Sequence, residues 1–504
     1  MELLRSISKS FIGRTVAFAT TPQLQLFSVT LIYYFSLYFS TSNRTLLLLT
    51  LLYWLLVFLI TRDFKLSLFI GLIATLLFPK GRAYQLLILP KESIDRWAIV
   101  DIIYFFPVYL VDIFLGLLAY LYLRKKMVIH YSKKMFKKFN SFWWLSLFIG
   151  WVILSGSFSV IPAVSLLSAA QLLRMLWLLV LPSLMFNDQK NQITHAVLIV
   201  AIAVLLFQSG WVINQRIAGG PLGKDIEVYL PGKQFGILAS ENTDLLRTTG
   251  TFFEPSILGT FLLMQMVILL PLVFKKPQSK HFFNTHPLGW LALGLGSLAL
   301  VFTGSRILYG VWLVLAGFSW WFWRHNKVKL NLKNSTKLIA IVLIPVIIIT
   351  GILIPYLAHR IETLADVFSQ YGSANYRLAM MQYSTRLAID NLWHGVGINL
   401  SPYYFATEFA GEQLIFDPTY PHNLFFQLLA ETGLVGILIF IALVHDIIKP
   451  FFQYLNRGII KKYSLAAGVY LLCAMFYPIF LNHPEISSYF FLYAGLVSFD
   501  QGET

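Results

Sequence analysis

Apolar stretches of membrane-spanning length recur along the chain, separated by short polar breaks. They lie near 21–41, 44–60, 66–79, 98–123, 142–159, 160–186, 194–213, 256–274, 286–303, 307–323, 336–357, 423–446, 464–482 and 486–499. A helix needs about 20 apolar residues to cross a bilayer, so the third and the last are short. The pattern predicts an all-α polytopic membrane protein with about fourteen spans, or twelve to thirteen if the short stretches do not cross. Ahead of them, Leu4, Ile7 and Phe11 share one helical face while Arg5 and Lys9 lie elsewhere. With no long apolar core, residues 1–20 read as an interfacial amphipathic helix and not as a cleavable signal.

This divides the chain into N-terminal spans over 21–213, a first outer loop over 214–255 and central spans over 256–357. A long outer loop follows over 358–421, then C-terminal spans over 422–504. Loops of this length without linker composition are usually functional. No internal repeat is visible, and no pair of broken helices at matching positions suggests a transporter.

Composition agrees: 57% of the 504 residues are hydrophobic, 12% are charged, and the mean hydropathy is +0.70. A soluble chain carries about 25% charged residues. The formal charge of +16 would suggest nucleic-acid binding on a soluble protein, but on a membrane protein it first reports topology. With the N-terminus inside, 25 of the 39 Lys+Arg and 6 of the 23 acidic residues fall on the cytoplasmic side. The outer side takes 13 and 14, and Arg174, Asp101, Asp112 and Glu431 lie within spans. Both termini are therefore expected in the cytoplasm, with the long loops outside. The single cysteine, Cys473, allows no intrachain disulfide and no cysteine-based zinc site.

Three outward segments can carry chemistry. Arg247-Thr-Thr-Gly250-Thr-Phe-Phe-Glu254-Pro255-Ser256 leads into a span. It reads either as an anion site at a helix start or as a capped helix with an incidental charge pair. Thr303-Gly304-Ser305-Arg306 forms a turn whose arginine either binds a ligand or snorkels. The long loop holds Asn375-Tyr376-Arg377, Arg386 and Trp393-His394-Gly395-Val396-Gly397, and ends in Tyr420-Pro421-His422-Asn423. Glu431-Thr432-Gly433 follows inside the next helix. Arg377 and Arg386 are nine residues apart, so an unbroken helix turns them about 180° from each other. Glu362 with Asp366 and Glu408 with Glu412 share helical spacing, a pattern usual for solvated faces and weak as a metal site. No phosphate loop, zinc pattern or nucleophilic triad is readable, so any activated substrate must already reside in the membrane. Asp112 and Arg174, deep in their spans, are expected to pair across helices, or Arg174 to meet a lipid head group.

Together these segments resemble the O-antigen ligase and polysaccharide polymerase superfamily over residues 245–445. The most specific element is Pro-His-Asn-Leu-x-x-Gln-x-x-x-Glu-Thr-Gly-Leu-x-Gly from Pro421 to Gly436. The resemblance implies a GT-C-like, metal-independent, inverting glycosyltransferase with no cofactor, facing outward from a bacterial inner membrane. Its partners would be a polyprenyl-diphosphate-linked glycan donor and acceptor, membrane lipids and a chain-length regulator, with no nucleic acid. By carry-over, Arg247, Arg306 and Arg377, with Arg386 weaker, clamp the diphosphate, and Tyr376 and Asn423 join the substrate site. His422 holds or deprotonates the acceptor hydroxyl. Many ligases have Asn-Pro-Asn where this chain has Glu254-Pro255-Ser256. The difference makes Glu254 a second base candidate and favours a polymerase over a ligase. A lipid-linked glycan flippase is the alternative from another class; it would gather its charges at mid-membrane.

Overall fold

The computed structural model describes residues 22–39, 43–76, 84–88, 105–108, 110–124, 140–224, 227, 247–252, 254–274, 285–325, 373–408, 420–455, 461–477, 479–481 and 483–499. The expected interfacial helix over 1–20, the span near 336–357 and the Glu362/Asp366 pair lie outside these residues, as does Glu412.

Fifteen α-helices are described. They are α1 Pro22–Ser36, α2 Asn43–Thr61, α3 Phe64–Thr75, α4 Leu110–Arg124, α5 Asn140–Ser157, α6 Pro162–Met185, α7 Lys190–Ala218 and α8 Pro255–Phe274. After these come α9 Thr285–Phe302, α10 Arg306–His325, α11 Ser373–Asp390, α12 Ser401–Glu408, α13 Leu424–Leu455, α14 Lys462–Ala474 and α15 Pro484–Leu496. The first seven expected spans apart from 98–123, and the six flanking the undescribed one, each fall on one of these helices. By length and apolarity, four can cross a membrane among the described residues: Arg44–Thr61, Pro162–Met185, Asn187–Ala218 and Leu424–Leu455.

Two expectations are corrected. Among the described residues of segment 98–123, Phe105–Val108 forms strand β2, paired antiparallel with β1 (Tyr84–Ile88), and helix α4 begins at Leu110; apart from this strand pair the described fold is helical, as expected. Pro107 lacks an N–H for a helical ladder, and its aromatic and β-branched neighbours suit a strand. The loop expected over 214–255 starts later, because α7 continues to Ala218 and ends on a left-handed Gly219.

Surface chemistry identifies the solvent. Helix α2 buries Leu46, Thr50, Tyr53 and Val57, a single stripe at helical spacing, and exposes Leu48, Leu52, Leu55 and Leu59. A helix apolar on its outward face as well as its packed one belongs in lipid. The buried stripe meets α1 through hydroxyl bridges, Thr30 to Tyr53 at 3.1 Å and Tyr33 to Thr50 at 3.0 Å. Such interhelical hydrogen bonds hold helices where burial alone offers no preference over lipid. Helices α5, α6, α7, α8, α9, α13, α14 and α15 pack into the centre: α7 on α9, α13 on α5, α15 on α6, α8 on α14.

Within that bundle Arg174 of α6 and Asp112 of α4 form a two-point ion pair, Nε to Oδ1 at 2.6 Å and Nη2 to Oδ2 at 2.9 Å. This is the cross-helix pairing the sequence suggested, and it leaves neither charge alone among apolar side chains.

Candidate functional site

The segment beginning at Arg247 is held from behind by two glutamines of α7. Gln208 and Gln215 are seven residues apart, two turns, and therefore share a face. Gln208 donates to Thr251 Oγ1 at 2.6 Å and accepts from Thr251 N at 3.2 Å. Gln215 grips Gly250 at both backbone groups and also donates to Glu227. Gly250 has φ +60°, and a Cβ there would lie 2.5 Å from Gln208 Oε1, so the glycine of this motif is required by both conformation and space. Beyond the turn, Ser256 donates to Glu254 Oε2 at 3.0 Å at the start of α8.

The fixed segment then meets the turn between α9 and α10. Thr248 N donates to Phe302 O at 3.1 Å, and Arg247 Nε donates to Thr303 O at 3.0 Å. Gly304 occupies the left-handed region, and Arg306 is the first residue of α10. Between them, the buried Ser305 hydroxyl pairs with the phenol of Tyr477, in the turn after α14.

Tyr477 leads to the third segment. The Arg377 guanidinium carbon lies 5.7 Å from the centroid of the Tyr477 ring. The neighbouring Tyr376 meets the His422 ring edge-on, centroids 5.6 Å apart. His422 donates to the backbone carbonyl of Phe476. Its Nδ1 is buried and has no hydrogen-bond partner among the described residues, so Nε2 carries the bonded proton and Nδ1 presents its lone pair. Burial, and then the nearby Arg377 charge, push the His422 pKa down from 6.5 to about 3, which keeps the ring neutral. Contacts thus run from Arg247 through Thr303, Ser305 and Tyr477 to Arg377, and through Phe476 to His422 and Tyr376.

Two predicted residues sit differently. Helix α11 is unbroken from Ser373 to Asp390, so Arg386 points away from Arg377; it is exposed, 5.8 Å from the ring of Tyr383. Asn423 uses its side-chain oxygen to accept from Phe425 N (2.9 Å) and Phe426 N (3.3 Å), capping α13.

The Trp-His-Gly-Val-Gly and Glu-Thr-Gly motifs form a backbone lock behind the site. Gly433, at φ 68° and ψ −172°, breaks α13. Leu434 N therefore donates to Leu392 O at 2.7 Å, outside its own helix. The released carbonyls of Ala430 and Glu431 accept from Val396 N at 3.0 Å and Gly397 N at 2.9 Å, and Thr432 O accepts from Trp151 Nε1 at 2.8 Å. A Cβ on Gly433 would lie 2.5 Å from the Trp393 carbonyl, and one on Gly395 would lie 2.4 Å from Glu431 C. The Glu431 carboxylate, fully buried, accepts from Ser401 Oγ at 2.7 Å and so anchors the start of α12. The lock holds α11 along the first turns of α13, with Tyr376 and His422 at one end.

Gln208, Gln215, Glu227, Phe476 and Tyr477 do not figure among the residues expected from sequence. Two glutamines two turns apart on one face of α7 were a readable signal; nothing marked Tyr477. No group of three or more His, Cys, Asp or Glu side chains suited to a metal occurs among the described residues.

The fold and this site define a helical membrane protein with a polar, arginine-lined cluster built from the ends of several helices. Residues 291–441 match the family model described as O-antigen ligase, which supports the resemblance to the O-antigen ligase and polymerase superfamily and a role in membrane glycan processing. The match contains Arg306, Tyr376, Arg377, Arg386, His422 and Asn423; it omits Arg247, Glu254 and Tyr477. No curated protein matches the chain.

Proposed function

We propose that the protein is a membrane glycosyltransferase that polymerises polyprenyl-diphosphate-linked repeat units into a polysaccharide. In this reading about fourteen spans adopt a GT-C-like arrangement in a bacterial inner membrane, with both termini cytoplasmic and the site facing outward. The observation that carries the reading is His422, neutral and with a free Nδ1, beside Tyr376 and Arg377 and joined through Tyr477 to the turn holding Arg247 and Arg306.

The acceptor hydroxyl gives its proton to His422 Nδ1 as its oxygen bonds to the anomeric carbon of the donor sugar. The bond from that carbon to the phosphate oxygen breaks, with inversion, and the polyprenyl diphosphate leaves on Arg247, Arg306 and Arg377. Guanidinium forks suit this role because they offer paired, planar donors to phosphate oxygens. Bound diphosphate offsets the Arg377 charge that depresses the proton affinity of His422, so donor binding strengthens the base. Glu254, hydrogen-bonded to Ser256, is the alternative base.

The description of the matching family favours a second reading, a ligase that passes the glycan to lipid A-core. Purified protein supplied with carrier-linked repeat units alone decides between them. A ladder of lengthening products supports the polymerase; product only after lipid A-core is added supports the ligase. No product with either acceptor would overturn the glycosyltransferase reading.

A further inference from the structure

The Phe476–Tyr477 turn lies beyond residue 441, where the family match ends, yet it touches three of the site's parts. The Tyr477 hydroxyl pairs with Ser305, one residue before Arg306. Its ring lies against Arg377, and the adjoining Phe476 carbonyl accepts a hydrogen bond from His422. Tyr477 itself is 5% exposed, so it is packed in place.

Arg377 is half-buried, and no carboxylate of the described residues lies within ion-pair distance of it. Its contact with Tyr477 is to a ring, which occupies none of the five N–H donors of the guanidinium fork. A cation held this way has its place set while its hydrogen-bonding edge stays free for an anion.

We propose that Tyr477 is a positioning residue for the donor diphosphate: its ring seats Arg377, and its hydroxyl, tied to Ser305, ties that seat to the turn carrying Arg306. This rests on the glycosyltransferase reading. The two arginines come from separate helices, and the Ser305–Tyr477 pair gives them a common reference.

The test is binding of sugar-free polyprenyl diphosphate to the purified full-length protein, read by intrinsic tryptophan fluorescence, with donor and acceptor KM measured alongside. Tyr477→Leu removes ring and hydroxyl and is expected to weaken diphosphate binding about 10-fold or more. It should raise the donor KM in step and leave the acceptor KM unchanged. Tyr477→Phe keeps the ring and is expected to lose no more than about 5-fold, the worth of one hydrogen bond. Ser305→Ala should match Tyr477→Phe, and the double variant should be no worse than either alone.

Binding by Tyr477→Leu equal to wild type would overturn the proposal, as would equal losses in Tyr477→Phe and Tyr477→Leu. If Tyr477→Leu does not fold, the Tyr477→Phe and Ser305→Ala pair still decides, because strictly additive losses exclude a shared seat. Wild-type protein that neither binds the diphosphate nor transfers sugar would instead remove the glycosyltransferase reading, and this inference with it.

Discussion

Gln215 holds Gly250 by both of its backbone groups, accepting from N at 2.9 Å and donating to O at 2.8 Å. One side chain of a membrane helix thus satisfies both backbone groups of a residue that has no secondary structure to do so. Replacing Gln215 by leucine orphans the N–H and carbonyl of Gly250 and removes one donor from Glu227. Each buried orphan costs about 1–3 kcal/mol, so the variant should melt well below wild type and release Arg247 from Thr303. Thermal unfolding in detergent, with diphosphate affinity measured in parallel, checks this; an unchanged melt would show that the glutamine bridge contributes nothing.

The backbone lock predicts a contrast between glycines. Gly433→Ala and Gly395→Ala place a methyl within about 2.5 Å of facing main chain at a positive φ, and neither neighbour is a movable side-chain tip. Both variants should fail to accumulate as folded protein. At Gly210 and Gly468, in α7 and α14, an added methyl would meet nothing within 4 Å. Alanine there should be tolerated or stabilising by up to about 1 kcal/mol, the helix-propensity difference. Expression and monodispersity of the four variants separate the two classes, and equal behaviour would discard the lock.

Asp112 and Arg174 offer a rescue experiment. Neutralising either leaves the other charged in an apolar setting, at a cost of about 3–5 kcal/mol for a broken buried pair. The exchange Asp112→Arg with Arg174→Asp should recover expression lost in each single reversal. Failure to recover would mean that the pair serves a local demand at one of the two positions.

His422 should register in the pH dependence of stability. Its folded pKa, about 3, lies below the unfolded 6.5, so on acidification the unfolded chain takes up a proton that the native ring refuses. The stability contributed by the neutral ring is complete above pH 6.5 and is lost as pH falls toward 3, at up to about 1.4 kcal/mol per pH unit. His422→Phe should therefore lose stability less steeply than wild type across that window. Parallel slopes in acid unfolding curves would show that His422 is not held neutral.

Arg306→Lys tests the clamp itself. Lysine keeps the charge but cannot present paired planar donors, so turnover should fall at least about 10-fold if two-point diphosphate binding matters. Unchanged turnover would assign Arg306 to snorkelling.

Much of the helical layout was legible because lipid enforces it: twelve expected spans have a helix in register with them, since each backbone group in hydrocarbon must be paired within its own segment. The lapse at 98–123 came from reading apolarity as helix where Pro107 and its neighbours favour a strand. The site was only half legible. Charged residues in unusual places drew attention to the arginines and His422, but their mutual contacts pass through Ser305, Phe476 and Tyr477. A serine and two aromatics are ordinary in a membrane chain, and only the packing of α14 against its neighbours brings them there. Likewise, the glycines of the Trp-His-Gly-Val-Gly motif looked like part of a reactive loop and proved to be the place where two backbones touch.

The break at Gly433 also ties α13 to residues made before it. In the folded chain the carbonyls of Ala430, Glu431 and Thr432 accept from outside their own helix, and bare carbonyls in hydrocarbon would cost several kcal/mol each. Their partners, Val396, Gly397 and Trp151, all precede α13 in the chain and are therefore synthesised first. The break in α13 is therefore stable only together with the turn that follows α11, the helix that bears Arg377.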